Sequence, residues 1–203
     1  GDNATFSVHL CMAPTSSVSF PVTSSDTTEG TVSTSTLSYS TSNWNTAQTV
    51  TVNGVDDTFS DDNQAFSVTL GSVTSSDANY AGKNPDDVSV TNVDNETASI
   101  TVSALSDNTT EMGGTATFTV VLDNQPTSDV SIAVSSSDTS EATISPASLT
   151  FGSSNYSTLQ TVTVTGVDDF YDDDNVSYTI TVDPSSSIAS YNSMTSSTVT
   201  GYN

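Results

Sequence analysis

Phe118, Val120 and Leu122 alternate with Thr117, Thr119 and Val121. A period of two sends successive side chains to opposite faces of an extended chain, so this stretch buries one face and wets the other with hydroxyls. The same signature predicts strands near 98–105, 115–122, 130–134, 143–151, 160–165, 177–182 and 197–202, seven in all. Strands of this length, half apolar and joined by short turn-rich segments, pair antiparallel. Two such sheets packed on their apolar faces make a β-sandwich.

The pattern occurs twice. Ala4-Thr5-Phe6 returns as Ala116-Thr117-Phe118, the run from Gln48 to Val52 returns as 160–164, and Gly54-Val55-Asp56-Asp57 returns as Gly166-Val167-Asp168-Asp169, all at one constant offset. The frame slips by one residue in the following loop, after which 88–92 meets 199–203. An alignment of this length is a duplication. It predicts a first module over 1–92 and a second over 93–203. The second has a leading segment, 93–112, with no counterpart before Gly1, so the first sandwich is expected to lack its leading strand. A missing strand exposes a sheet edge. The favoured expectation is that the chain is a window on a longer repeat array; the alternative is strand donation by another subunit.

Strand parity then sorts the loops. If successive strands reverse, the loops at 106–113, 136–141 and 167–175 share one end of the second module with the chain's exit, and entry lies at the opposite end, so modules are expected to stack head to tail. The acids fall unequally. That one end holds Asp107, Glu111, Asp138, Glu141, Asp168, Asp169, Asp172, Asp173 and Asp174, while the other holds chiefly Asp123 and Asp183. The first module repeats the arrangement with Asp26, Glu29, Asp56, Asp57, Asp61 and Asp62, joined by Asp94 and Glu96 from the junction.

Composition sharpens this. The chain carries 24 acidic residues against one Lys and no Arg, a formal charge of -23. Phosphate-neutralising cations are missing, so neither nucleic acid nor an anionic membrane surface is an expected partner. Self-repulsion on this scale disfavours a compact state unless a cation offsets it. No apolar run approaches the length of a membrane-spanning helix. Richness in Ser and Thr, scarcity of Lys and Arg, and internal repetition together point to an extracellular or cell-surface location. Cys11 has no second cysteine to pair with.

Loops dense in Asp, Asn and Ser suit a hard cation, since Ca²⁺ takes six to eight oxygen ligands in adaptable geometry. Mg²⁺ is stricter and keeps its waters, and Zn²⁺ or Cu²⁺ would call on His or Cys, of which the chain has one each. The competing explanation is a solvated acidic face. Recurrence of the acids in both copies and their convergence at one end favour the cation. The candidate metal ligands are therefore Asp26, Glu29, Asp56, Asp57, Asp61, Asp62, Asp94, Glu96, Glu111, Asp138, Glu141, Asp168, Asp169, Asp172, Asp173 and Asp174.

The run from Glu111 through Gly113-Gly114 to Val120, the Asp168-Asp169 loop and the closing Val93-Asp94-Asn95-Glu96 resemble the Calx-β repeat, a calcium-binding, immunoglobulin-like sandwich of exchangers, integrin β4 and bacterial surface proteins. The resemblance implies an all-β chain of two tandem seven-stranded sandwiches. It also implies that Glu111, Asp168 and Asp169 bind Ca²⁺ in the second copy, and Asp56, Asp57, Asp94 and Glu96 in the first.

Function follows as an expectation: a non-enzymatic, calcium-binding structural repeat of an adhesin, stalk or filament, its partners being neighbouring repeats or copies of itself. The rival is a module at the tip of a surface protein that recognises a glycan or a protein. His9 sits between the inward Val8 and Leu10 and has no second His or partnered nucleophile, which leaves it without a catalytic role. Trp44 matches Tyr156 in position, where an aromatic is expected to pack under the sandwich.

Overall fold

The computed structural model describes residues 2–168 and 174–203. The first half contributes β1 (Asn3–Val8), β2 (Val18–Ser24), β3 (Gly30–Val32), β4 (Thr36–Tyr39), β5 (Gln48–Gly54), β6 (Phe59–Ser60), β7 (Gln64–Leu70), β8 (Thr74–Ser75) and β9 (Val88–Asn92). The second contributes β10 (Ile100–Val102), β11 (Thr115–Leu122), β12 (Gln125–Pro126), β13 (Val130–Ser136), β14 (Ala142–Ser145), β15 (Ser148–Phe151), β16 (Gln160–Gly166), β17 (Ser177–Ser186), the short helix α1 (Ala189–Asn192) and β18 (Ser197–Tyr202). The protein is all-β. It divides into one unit of Gly1–Asp57 with Asn63–Asp94 and another of Thr58–Asp62 with Asn95–Asn203.

In the first unit one sheet has the order β1-β5-β3 and the other β4-β2-β7-β9, with β8 beside β2. Val50 and Val52 from the first sheet meet Phe20, Val22, Leu37, Tyr39, Phe66, Val68 and Leu70 from the second in one buried cluster. That face-to-face burial is what makes the unit a sandwich. Phe20 and Tyr39 stack at 6.3 Å across neighbouring strands. Trp44 packs against the cluster, and its carbonyl accepts the Leu10 amide at 2.9 Å.

The second unit repeats the plan with sheets β10-β11-β16-β14 and β15-β13-β17-β18. Its core joins Phe118, Val120, Leu122, Val162 and Val164 to Ile132, Phe151, Tyr178, Ile180 and Tyr191. Tyr156 packs against it, and its carbonyl accepts the Leu122 amide at 3.0 Å, as Trp44 does for Leu10.

The sequence pattern and the sheets differ in three places. The single strand expected over 143–151 is two, one on either side of Pro146, which supplies no N–H to a ladder. The chain changes sheets there, β14 pairing with β16 and β15 with β13. The first unit makes the same change between β3 and β4 without a proline. Strand β17 continues past its expected end, through Asp183 and Pro184 opposite Ala133 and Ile132. A turn of helix, α1, follows in what reads as loop, anchored by the buried Tyr191, whose hydroxyl donates to the Asn124 carbonyl at 3.1 Å. Burial, with the Asp123 charge adding to it, pushes that phenol up to about 12.

Candidate metal centre

Each candidate site is built on a turn that the sequence writes twice. In the first copy the Asp26 carboxylate accepts the Thr28 amide at 3.0 Å and the Thr28 hydroxyl, and its carbonyl accepts the Gly30 amide at 3.1 Å. In the second, Asp138 does the same for the Ser140 amide and hydroxyl, and its carbonyl takes the Ala142 amide at 3.1 Å. These are side-chain-closed turns of the kind Asp favours. Asp26 and Asp138 thus have a structural duty that accounts for their recurrence.

The turn delivers a glutamate to the head of the next strand. The Glu29 carbonyl accepts the Val55 amide at 3.0 Å, and the Glu141 carbonyl accepts the Val167 amide at 3.0 Å. A carboxamide then holds each carboxylate. Asn92 donates from Nδ2 to Glu29 Oε2 at 3.1 Å and to the Val55 carbonyl at 2.8 Å. Asn203 donates from Nδ2 to Glu141 Oε2 at 3.4 Å and to the Val167 carbonyl at 2.8 Å, while its Oδ1 accepts the Thr109 hydroxyl at 2.9 Å. Gly166 is required for this, because Asn203 and the Thr110 carbonyl leave no room for a Cβ. The two asparagines were not among the expected functional residues, although each expected copy closes on one.

In the first unit two acids converge. Glu29 and Asp57 each present a carboxylate oxygen, within 4.8 Å of one another, and both side chains are half-buried. Oxygens bound to one Ca²⁺ at about 2.3 to 2.6 Å from it lie at most about 5 Å apart, so this spacing suits a single ion. Without a cation, like charges so close disfavour one another. Asp56 beside them is exposed. Asp61 is half-buried in the second unit.

The other candidates are distributed as follows. Both oxygens of Asp62 accept backbone amides of α1, from Ala189 at 2.6 Å and Ser190 at 3.0 Å, so this carboxylate caps a helix. The Asp94 amide donates to Asn63 Oδ1 at 3.1 Å, and Glu96 Oε1 accepts from Asn95 at 3.3 Å. Glu111 and Asp174 line a cleft of about 360 Å³ with Thr109, Asn175 and Asn203. Asp168 is exposed, and Asp169, Asp172 and Asp173 lie outside the described residues.

Hydrogen bonds to the charged form hold three carboxyls below their ordinary 3.8. The cause is the Thr28 side chain for Asp26, the Thr15 backbone amide for Asp77 and the Ser140 side chain for Asp138. A depressed folded-state pKa stabilises the fold above the unfolded value and ceases to do so as pH falls through the folded value. Relief of self-repulsion acts in the opposite direction as the chain approaches its isoelectric point of about 4.1. Stability is therefore expected to rise as pH falls from 7 towards 4 and to drop below about 3.8. Urea unfolding across this range checks it. In the Asp26→Asn, Asp138→Asn variant the acid limb should flatten; an equally steep limb would refute the assignment.

No family model matches the chain, and no curated protein matches it. Among solved structures it is similar to CBD12 from CALX1.2, at 15% identity and a TM-score of 0.37, over 90% of this chain and 74% of that one. It is also similar to the calcium binding domain CBD12 of CALX1.1, at 15% identity and a TM-score of 0.35, over the same shares. The fold assignment rests on the sheets described above.

Proposed function

We propose that this chain is a calcium-binding structural repeat of an extracellular adhesin, stalk or filament, in which bound Ca²⁺ stiffens successive modules stacked head to tail. The observation that carries the reading is the pairing of Glu29 and Asp57 within one ion's reach. Their donor set is hard oxygen throughout, which matches Ca²⁺ and offers nothing that Zn²⁺ or Cu²⁺ prefers. Asn92 fixes Glu29 without adding charge. Further ligands to fill a shell of six to eight would come from backbone carbonyls and water.

Internal duplication supports the structural role, since repeated modules are a way of gaining length. The surplus of 24 acids over one base supports a calcium-rich, extracellular setting, where an affinity in the range of about 10⁻⁴ to 10⁻³ M suffices. Neighbouring repeats or copies of the chain are the proposed partners. Small-angle scattering tests this directly: in about 5 mM Ca²⁺ the profile should be that of a stiff rod, and in EGTA that of a hinged particle. Superimposable profiles in the two conditions would overturn the stiffening role.

A further inference from the structure

One asparagine in each unit ties the same two elements together. Asn92 ends β9, and Asn203 follows β18 directly. Of the two Nδ2 protons of Asn92, one goes to Glu29 Oε2 and the other to the Val55 carbonyl. Asn203 divides its protons in the same way between Glu141 Oε2 and the Val167 carbonyl. The partners stand 63 and 37 residues back along the chain in the first unit, and 62 and 36 in the second. Bonds across such separations are made by the fold and not by a local turn, and both copies keep them.

Val55 is the root of the acidic loop. Its amide donates to the Glu29 carbonyl at 3.0 Å and its carbonyl accepts from Asn92 at 2.8 Å, so both of its backbone groups are fixed two residues before Asp57. The same carboxamide holds the Glu29 side chain. Asn92 thus acts on both members of the pair whose carboxylate oxygens lie within 4.8 Å of one another. Carboxylates that close repel, and the bonds of Asn92 oppose their separation. The residue type matters. A lysine at position 92 would neutralise Glu29 in place of an ion, and an acid would add to the repulsion. A carboxamide donates twice and does neither. In the second unit the carboxamide is itself held, since Asn203 Oδ1 accepts the Thr109 hydroxyl at 2.9 Å and the Thr109 amide donates to the Tyr202 carbonyl at 3.0 Å.

We infer that Asn92 is a positioning residue for the cation, holding a carboxylate and the root of the acidic loop at ligand spacing before an ion arrives, and that Asn203 is its equivalent in the second unit. The inference rests on the cation reading of Glu29 and Asp57 and adds to it a residue that touches no ion. Groups of this kind orient the ligands and so set affinity without contributing a bond to the metal. By linkage, a residue that raises affinity for the ion stabilises the fold more when the ion is bound than when it is absent.

Calcium titration of the full chain at constant ionic strength tests this, read by the NMR shifts of the Gly30 and Val55 amides, which lie on either side of the pair. Asn92→Ala should weaken the affinity they report by about tenfold or more. Its melting temperature should fall further below the parent's in Ca²⁺ than in EGTA. A residue that merely supports the fold would lower both melting temperatures equally and leave the affinity alone. Asn92→Ser, smaller and still polar, should shift the affinity in the same direction, and it carries the test if the alanine variant does not fold. Unchanged affinity in a folded variant would overturn the role of Asn92 and leave the cation reading standing. No calcium-dependent shift in the parent would overturn both.

Discussion

Raising Ca²⁺ from EGTA conditions to about 10 mM is expected to lift the melting temperature of the first unit by roughly 5 to 20 °C. A ligand that binds only the folded state stabilises it by RT ln(1 + [L]/Kd), which for an extracellular-type Kd of about 10⁻⁴ to 10⁻³ M amounts to about 1.4 to 2.7 kcal/mol. A unit of this size shifts by about 4 to 8 °C per kcal/mol. Screening by any salt will also stabilise so acidic a chain, so NaCl at matched ionic strength is the reference. The discriminating variant is Asp57→Asn, which removes one charge from the Glu29, Asp57 pair and leaves the bond from Asn92 to Glu29 in place. In EGTA it should melt at or above the parent, because one of two like charges is gone. In calcium it should melt below the parent, because an ion has lost a ligand. Curves that gain the same increment with and without Asp57 would remove the metal site.

How far the sequence reached can be judged from the same residues. Period-two alternation located the strands because a half-buried sheet imposes it, and duplication gave two independent readings of each. What alternation cannot register is which sheet a strand joins. Residues 143–151 keep the pattern through a change of partner, since side chains face the core on either side of Pro146. Acidity alone does not sort the candidate ligands for a related reason: a carboxylate that closes a turn, as Asp26 and Asp138 do, or caps a helix, as Asp62 does, is spelled the same way as one that faces a cation. Only the fold reveals which direction the side chain takes. Asn92 and Asn203 were legible in principle, as the same residue type closing both copies, but their role depends on contacts more than 60 residues away in sequence.

Truncating Phe118 and Phe6 should cost unequal amounts, because one residue type occupies one position in two copies of the same sandwich but is buried in one and half-buried in the other. Phe118 is 1% exposed and packs among the strands of both sheets, so Phe118→Ala removes a full ring from a closed core. Losses of this kind run to about 3 to 5 kcal/mol, a large fraction of the roughly 5 to 15 kcal/mol that holds a domain folded. Thermal unfolding of the second unit is expected to fall by about 15 °C or more. Phe6 only borders its core and already meets solvent. Phe6→Ala should cost about 1 to 2 kcal/mol, since burial contributes in proportion to the area removed from water. The gap between the two variants measures how burial sets the worth of one ring in one position of the sandwich. Equal costs would mean that Phe6 is packed as closely as Phe118 in solution.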